Sequence, residues 1–308
     1  MKKILCLLIC IMMALSLFSC TNSNEKDSGI IFDTVLYSSP EEYTSFFKST
    51  EQTAEFEMVE FKDDTVKQST SVNILGNDYK LSYETSAILP QSDISVNNYK
   101  INEVPNAKVL MDAKSGEIVK YVNIPHSLSI TSEDTCVKFI QSLIGTNYNL
   151  SNYDYKCTTH YYTFSDTAMR SQVVDGFHVC SENEKLGRYS FYYTKSLNGV
   201  KISDHIAMEI TNDHFSLEIY DLGYSEDYYK EILKDFNVAD LEYSLTKHFQ
   251  SDVKEGYAYK DIQIKSYQLF IKNEKPYIIA TSVLTVSEKS TKNEAYATNI
   301  RTISSIAK

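Results

Sequence analysis

The chain has no tryptophan and is poor in glycine and proline, with nine glycines, five prolines and 24 tyrosines in 308 residues. Phosphate-binding loops need closely spaced glycines, so the scarcity of glycine argues against them. Many tyrosines with few turn-forming residues favour aromatic-rich β-sheet over low-complexity structure. The absence of tryptophan also argues against a sugar-binding groove.

Basic residues are also few: the chain has 30 of them against 41 acidic residues, and its net charge is −11. Loss of Lys2 and Lys3 with a signal peptide would take this charge from −11 to −13. An acidic surface repels nucleic acid and anionic lipid headgroups. The charge therefore excludes a nucleic-acid partner.

Long apolar runs are absent except at the N-terminus, where Lys2 and Lys3 precede the apolar segment Ile4 to Phe18. The segment has signal-peptide length and is shorter than a membrane-spanning helix, although an uncleaved anchor is the alternative. Leu17 to Cys20 resembles the lipobox of bacterial lipoproteins, with a bulkier Phe18 than that motif usually has. We predict a signal peptide over residues 1–19 and a polar tether over residues 20–30.

The lipobox resemblance implies that Cys20 carries a diacylglycerol, often with a further acyl chain such as palmitate. Two or more chains anchor firmly, at about 0.8 kcal/mol per buried methylene. The expected location is the extracytoplasmic face of the cell membrane, where the lipid on Cys20 is the membrane contact. No cofactor is expected.

Helix signals occur in three places along the chain, the last of which contains two consecutive helices. Ser39 precedes Pro40 and Glu42 in a capping-box pattern, and Ser132 opens an apolar stripe that Gly145 ends. Ser225 and Asn237 then begin two consecutive helical patterns. Strands with period two lie between these helices.

The strands are separated by recognisable turns. Asp112 to Gly116, Asn198-Gly199, Asn212-Asp213 and Lys272 to Lys275 each interrupt alternating apolar residues. A turn at Asn212-Asp213 places His205 opposite Tyr220. We predict an α+β fold of three units, at residues 31–128, 129–223 and 224–308, each a helix or helix pair packed on an antiparallel meander sheet.

The hairpin Val109 to Tyr121 resembles the closing hairpin of PepSY domains, and Tyr189 to Tyr220 is similar to the second unit of exported tandem PepSY-like proteins of Gram-positive bacteria. The resemblance rests on patterns of turns and strands, and it extends into all three units. PepSY domains are α+β modules of secreted protease propeptides and envelope proteins. The resemblance implies a binding or regulatory module and carries no catalytic residue.

One local cluster contains metal-ligand residue types, namely Cys157, His160, His178 and Cys180. A zinc site needs four converging ligands, but Cys157 and His160 face opposite sides of a regular strand. If residues 164–172 close a hairpin, Cys157 lies near Cys180 and a disulfide is an alternative. The third interpretation is that both are reduced and packed as small hydrophobes, as Cys136 is on its helix.

Catalytic patterns are weak. A nucleophile at Cys157 or Cys180 lacks an identifiable base, and Ser244-x-x-Lys247 lacks the companion motifs of penicillin-binding enzymes. Each tyrosine pair, such as Tyr192-Tyr193, should place one ring in the core and the other toward solvent.

We therefore expect a non-catalytic binding or regulatory lipoprotein whose partner is an envelope protein, such as a protease or signalling protein. A solute-binding lipoprotein of a transporter is the alternative, and an envelope hydrolase is a third possibility because a site can assemble from distant residues.

Overall fold

The computed structural model describes residues 30–37, 45–48, 58–89, 92–145, 148–165, 168–234 and 236–306. The predicted signal peptide, Cys20 and the helix start at Ser39 lie outside the described residues. No helix within the described ranges is long and apolar enough to cross a membrane.

Strands dominate this part of the chain. Their bounds are β1 Ile30–Tyr37, β2 Val59–Phe61, β3 Ser69–Ile74, β4 Asn77–Ile88, β5 Ser95–Ile101, β6 Lys108–Asp112, β7 Ile118–Pro125, β8 Asp154–Ser165, β9 Ala168–Asp175, β10 Glu184–Leu197, β11 Val200–Ile210, β12 His214–Tyr220, β13 Tyr257–Lys272, β14 Lys275–Glu288 and β15 Glu294–Ile306. The α-helices are α1 Glu133–Ile144, α2 Glu226–Ile232 and α3 Val238–Asp252.

The strands form one sheet of 15, with the order β1-β15-β14-β13-β11-β12-β7-β6-β5-β4-β2. A branch continues from β11 through β10 and β8 to β9, and β3 pairs with β4. All pairings are antiparallel except a two-residue parallel contact of Lys201 and Ile202 in β11 with β13. Strand β10 pairs along one edge of β11. Along the other edge, β13 pairs with Lys201 and Ile202, and β12 pairs with residues 205–210.

Turn chemistry explains the hairpins. Asn198 and Gly199 adopt φ values of 52° and 78°, and Leu197 pairs with Val200 across this two-residue turn. Gly116 has a φ of 74°, as the turn after β6 requires. The predicted turns at both positions are confirmed.

Helix capping follows the predicted pattern as well. Ser132 caps α1 by accepting a hydrogen bond from the backbone N–H of Thr135, and Gly145 ends that helix. Ser225 and Asn237 cap α2 and α3 in the same way. The three predicted helix starts within the described residues are confirmed.

Two large hydrophobic clusters lie beneath the helices. The first packs α1 on β3 to β12, and its centre includes Phe139 and Phe215, whose ring centroids are 5.3 Å apart. The second packs α2 and α3 on β13 to β15 and also receives Phe46 and Phe47 from the N-terminal region. The division into units at 31–128, 129–223 and 224–308 stays a prediction.

The predicted fold class is wrong. Instead of separate α+β units with a helix on each meander, the described residues form one large, mostly antiparallel sheet with three α-helices. The physical reason is that β7 pairs with β12, which joins strands of the first and second predicted units. Period-two patterns show which face of a strand is buried, but not which strand borders its edge.

Candidate functional site

The sheet has a helix-covered face and an opposite face. In β11, Ile206 and Met208 pack in the cluster under α1, while Val200 and Ile202 pack in the cluster under α2 and α3. All four are even-numbered, so the three helices lie on one side of β11. The odd-numbered residues of β11 therefore project from the other side, which we call the open face.

A groove crosses the open face from β7 to β9. Its floor consists of the small side chains Ser190, Ala207 and Ser216, on three neighbouring strands. Two depressions, of about 420 and 250 Å3, share Glu209 and Ser216 and therefore lie next to each other, and we call the two together the groove. Small residues create the depression because the larger side chains around them stand higher above the sheet.

Glu218 forms the electrostatic centre of the groove. Its carboxylate pairs with the ammonium of Lys120 on β7, and the other oxygen lies 3.4 Å from Nε2 of His205. The hydrogen bond with His205, followed by that from Lys120, lowers the pKa of Glu218 to about 2 against the opposing effect of burial. Glu218 is therefore a fixed negative charge at neutral pH, and Lys120 compensates it.

An aromatic row borders this ion pair. The ring of His205 stacks on Tyr220 with centroids 5.2 Å apart and planes at 12°, and Tyr192 lies 5.3 Å from His205 on the other side. Tyr192 is 36% exposed, whereas Tyr193 is 3% exposed. The predicted division of this tyrosine pair between core and solvent is confirmed. Tyr192 thus presents an amphipathic wall to the groove.

A second ion pair stands at the other end of the floor. Nε of Arg188 lies 3.1 Å from Oε1 of Glu209. The neighbouring Gly187 allows close packing, since a Cβ there would meet the carbonyl oxygen of His160 and the ring of Tyr162 at 3.1 Å each. The backbone at Gly187 is therefore part of the groove wall.

Among the described residues, the lining of the groove combines charged, aromatic and small polar side chains that can form hydrogen bonds. Its charges occur as neighbouring opposite pairs, Lys120 with Glu218 and Arg188 with Glu209. Both pairs are partly exposed, so their hydrogen bonds to water can be replaced by hydrogen bonds to a ligand. No cysteine lies in the groove, and its serines have no hydrogen-bonded base.

The four residues of the predicted cysteine–histidine cluster do not converge. Cys157 is buried against α1, whereas His160 lines the groove on the open face. His178 places Nε2 3.0 Å from Glu184, and Cys180 is half-buried and follows in the same loop. Cys136, Cys157 and Cys180 are free thiols, and no three metal-binding side chains in the described ranges are placed to hold an ion.

Burial raises the pKa of all three thiols. It raises the pKa of Cys136 to about 12, with the nearby Cys157 as a smaller cause. Burial also raises the pKa of Cys157, against the smaller, lowering effect of its interaction with Tyr155. A protonated thiol is a poor nucleophile. In the Ser244-x-x-Lys247 pattern, Lys247 places Nζ 4.5 Å from the centroid of the Tyr243 ring.

Sequence reasoning missed the groove because its residues are distant in the chain. Lys120 and Glu218 are separated by 98 positions, and β7 meets β12 only through tertiary pairing. One usable signal was the succession His205, Ala207 and Glu209, where a small residue alternates between polar ones on the solvent-facing side of β11. Comparisons with protein-family models, curated proteins and solved structures find no match to this chain.

Proposed function

We propose that this protein is a lipid-anchored, extracytoplasmic binding or regulatory module without catalytic activity, and that its partner, an envelope protein, binds in the open-face groove. The observation that carries the proposal is the groove of two adjoining depressions, with Tyr192 as its aromatic wall and two ion pairs among its lining residues. Partly exposed aromatic rings and charged pairs are the side chains that protein interfaces use as anchors and rim contacts.

The membrane anchor in this proposal rests on the lipobox-like sequence that ends at Cys20. The test is the Cys20→Ser variant, expressed in the native host or in a bacterium that processes lipoproteins. Intact mass should show the lipid on the parent chain and its loss in the variant, which should leave the membrane fraction. A parent chain without lipid would overturn the anchor but not the groove.

The groove is tested by photocrosslinking in cells. A photoreactive phenylalanine analogue at position 192 points into the groove, while the same residue at position 243 lies on α3, where the native tyrosine is more exposed, at 57% against 36%. We expect one defined protein adduct from position 192 and none from position 243. Absence of any adduct at native abundance, or the same adducts from both positions, would contradict a partner protein in the groove.

A solute-binding role is the second candidate, and the pairing of charges favours it specifically. Because Glu218 and Glu209 are each compensated by a cation, the groove offers hydrogen bonds without a net charge to be neutralised. A thermal-shift screen of the full chain in detergent against sugars, peptides and ions tests this candidate. A shift that Ser216→Trp abolishes would support it, because tryptophan would fill the floor of the groove.

A further inference from the structure

Strand β9 forms an outer edge of the sheet. Among the described residues it pairs with β8 alone. The β8–β9 hairpin carries a concentration of exposed apolar side chains, with Met169 63%, Val173 58% and Phe164 49% exposed. Met169 and Val173 lie on one face with Ser171 between them, and Ser171 lines the groove.

The backbone of β9 is oriented to accept another strand. Phe164 of β8, which stands opposite Met169, donates its N–H away from β9 to the carbonyl of Asn183 at 3.1 Å. Phe164 and Met169 are therefore a non-hydrogen-bonded pair of the antiparallel ladder. Because the pattern alternates, Met169, Ser171 and Val173 all direct N–H and C=O groups toward the free edge.

This edge lacks the usual protection against pairing. Natural edge strands carry lysine, proline, bulges or inward-pointing charges. Residues 168–175 contain no lysine or proline, and their only charged residues are Arg170 and Asp175. The register with β8 is also continuous from Thr158 to Ser165, so no bulge bends this edge away.

We propose that β9 pairs antiparallel with β9 of a second copy of this chain, with Ser171 on the two-fold axis. In this register Ser171 meets its own counterpart, and Met169 meets Val173 of the second copy on each side of the axis. Each of these residues has an outward-facing backbone, so the three pairs can make about six hydrogen bonds. Isologous contacts of this kind close into a dimer.

The side chains favour a second copy over an unrelated strand. Apolar Met169 opposes apolar Val173 on the groove side, and Arg170 opposes the neutral Gln172 on the other side. No charge lies directly opposite a like charge across the edge, and the two copies of Arg170 are diagonal neighbours about 8 Å apart. A two-fold axis perpendicular to the sheet keeps both open faces on one side, so the two grooves become parts of one surface.

A matched pair of double variants tests the side-chain register. Met169→Lys with Val173→Glu places opposite charges across the edge in each copy, whereas Met169→Lys with Val173→Lys places like charges there. Both positions are exposed, so both variants should fold. By analytical ultracentrifugation of the full chain in detergent, the first variant should dimerise at least about tenfold more tightly than the second. Equal association of the two variants would overturn the register.

Cysteine crosslinking tests the axis directly. In hydrogen-bonded antiparallel pairs the Cα atoms are about 5.5 Å apart, within disulfide range. Ser171→Cys should therefore give a disulfide-linked dimer in membranes under mild oxidant, beyond the level of the parent chain. Gln172→Cys is the control, because its two copies lie about 8 Å apart along and across the strands. Crosslinking of Gln172→Cys in place of Ser171→Cys, or a parent chain that stays monomeric, would refute the proposal.

Discussion

The hydroxyl of Tyr229 on α2 lies 2.9 and 3.0 Å from the two carboxylate oxygens of Asp204 on β11, and both residues are buried. The backbone N–H of Leu222 donates to the same carboxylate at 3.1 Å. Asp204 lies between Ile202 of one hydrophobic cluster and Ile206 of the other. This hydrogen-bonded contact therefore holds α2 against β11 at the boundary between the two hydrophobic clusters.

Tyr229→Phe should lower the free energy of unfolding by about 1.5–3 kcal/mol, because it removes the donor from a buried carboxylate and leaves the ring in place. Urea unfolding followed by circular dichroism measures the change. Tyr243→Phe is the control, since Tyr243 is 57% exposed and should change stability by less than about 0.5 kcal/mol. Equal effects of the two substitutions would contradict a structural role for the Asp204 contact.

Glu218 should make stability depend on acid pH. Its folded-state pKa is about 2 and its ordinary value is 4.5, so the folded protein binds the proton less readily than the unfolded chain. The stabilisation is present above pH 4.5 and is lost as the pH falls toward 2. The free energy of unfolding of the parent and of Glu218→Gln should be measured at pH 6, 4 and 3. The difference between the two should become smaller as the pH falls.

The control for this titration is Glu231→Gln, an exposed carboxylate on α2. A difference between parent and Glu218→Gln that stays constant from pH 6 to pH 3 would show that the contacts of Glu218 with His205 and Lys120 contribute no pH-dependent stability.

Gly187→Ala should destabilise the protein by about 1–3 kcal/mol, because the new methyl group would press on the carbonyl oxygen of His160 and on the ring of Tyr162. Photocrosslinking from position 192 should weaken in the same variant if the groove changes shape. Ser196→Ala, at an exposed position of the same strand, is the matched control and should be nearly neutral. An unchanged midpoint in Gly187→Ala would mean that Tyr162 moves aside at no cost.

The cysteines should differ in reactivity. Burial raises the pKa of all three thiols, but Cys136 and Cys157 are buried whereas Cys180 is only half-buried and so more accessible to a reagent. Iodoacetamide at pH 8 should label Cys180 first and the other two only after unfolding, as followed by peptide mass spectrometry. Resistance of Cys180 to labelling, reversed by a reductant, would instead indicate the disulfide with Cys157.

Features that depend on neighbouring residues, such as turns and the pairing across them, could be predicted from the sequence. The turn at Asn212-Asp213 predicted His205 opposite Tyr220, and this pairing is confirmed. Strand β9 was missed, because residues 164–172 were expected to form a loop. One face of β9 carries Met169 and Val173 with polar Ser171 between them, and no side chain of the strand is buried, so its hydrogen bonds to β8 rather than a buried apolar face define it as a strand.

The sequence by itself determined the helix caps, the turns and the buried face of most strands, because these depend on backbone conformation and on side chains a few residues apart. Only the tertiary structure decided that β7 lies beside β12, and that β12 and β13 share one edge of β11. A strand edge offers the same N–H and C=O groups to any partner, so the packing of the whole sheet selects among partners. That selection joined the expected units into one sheet and brought Lys120 to Glu218 in the groove.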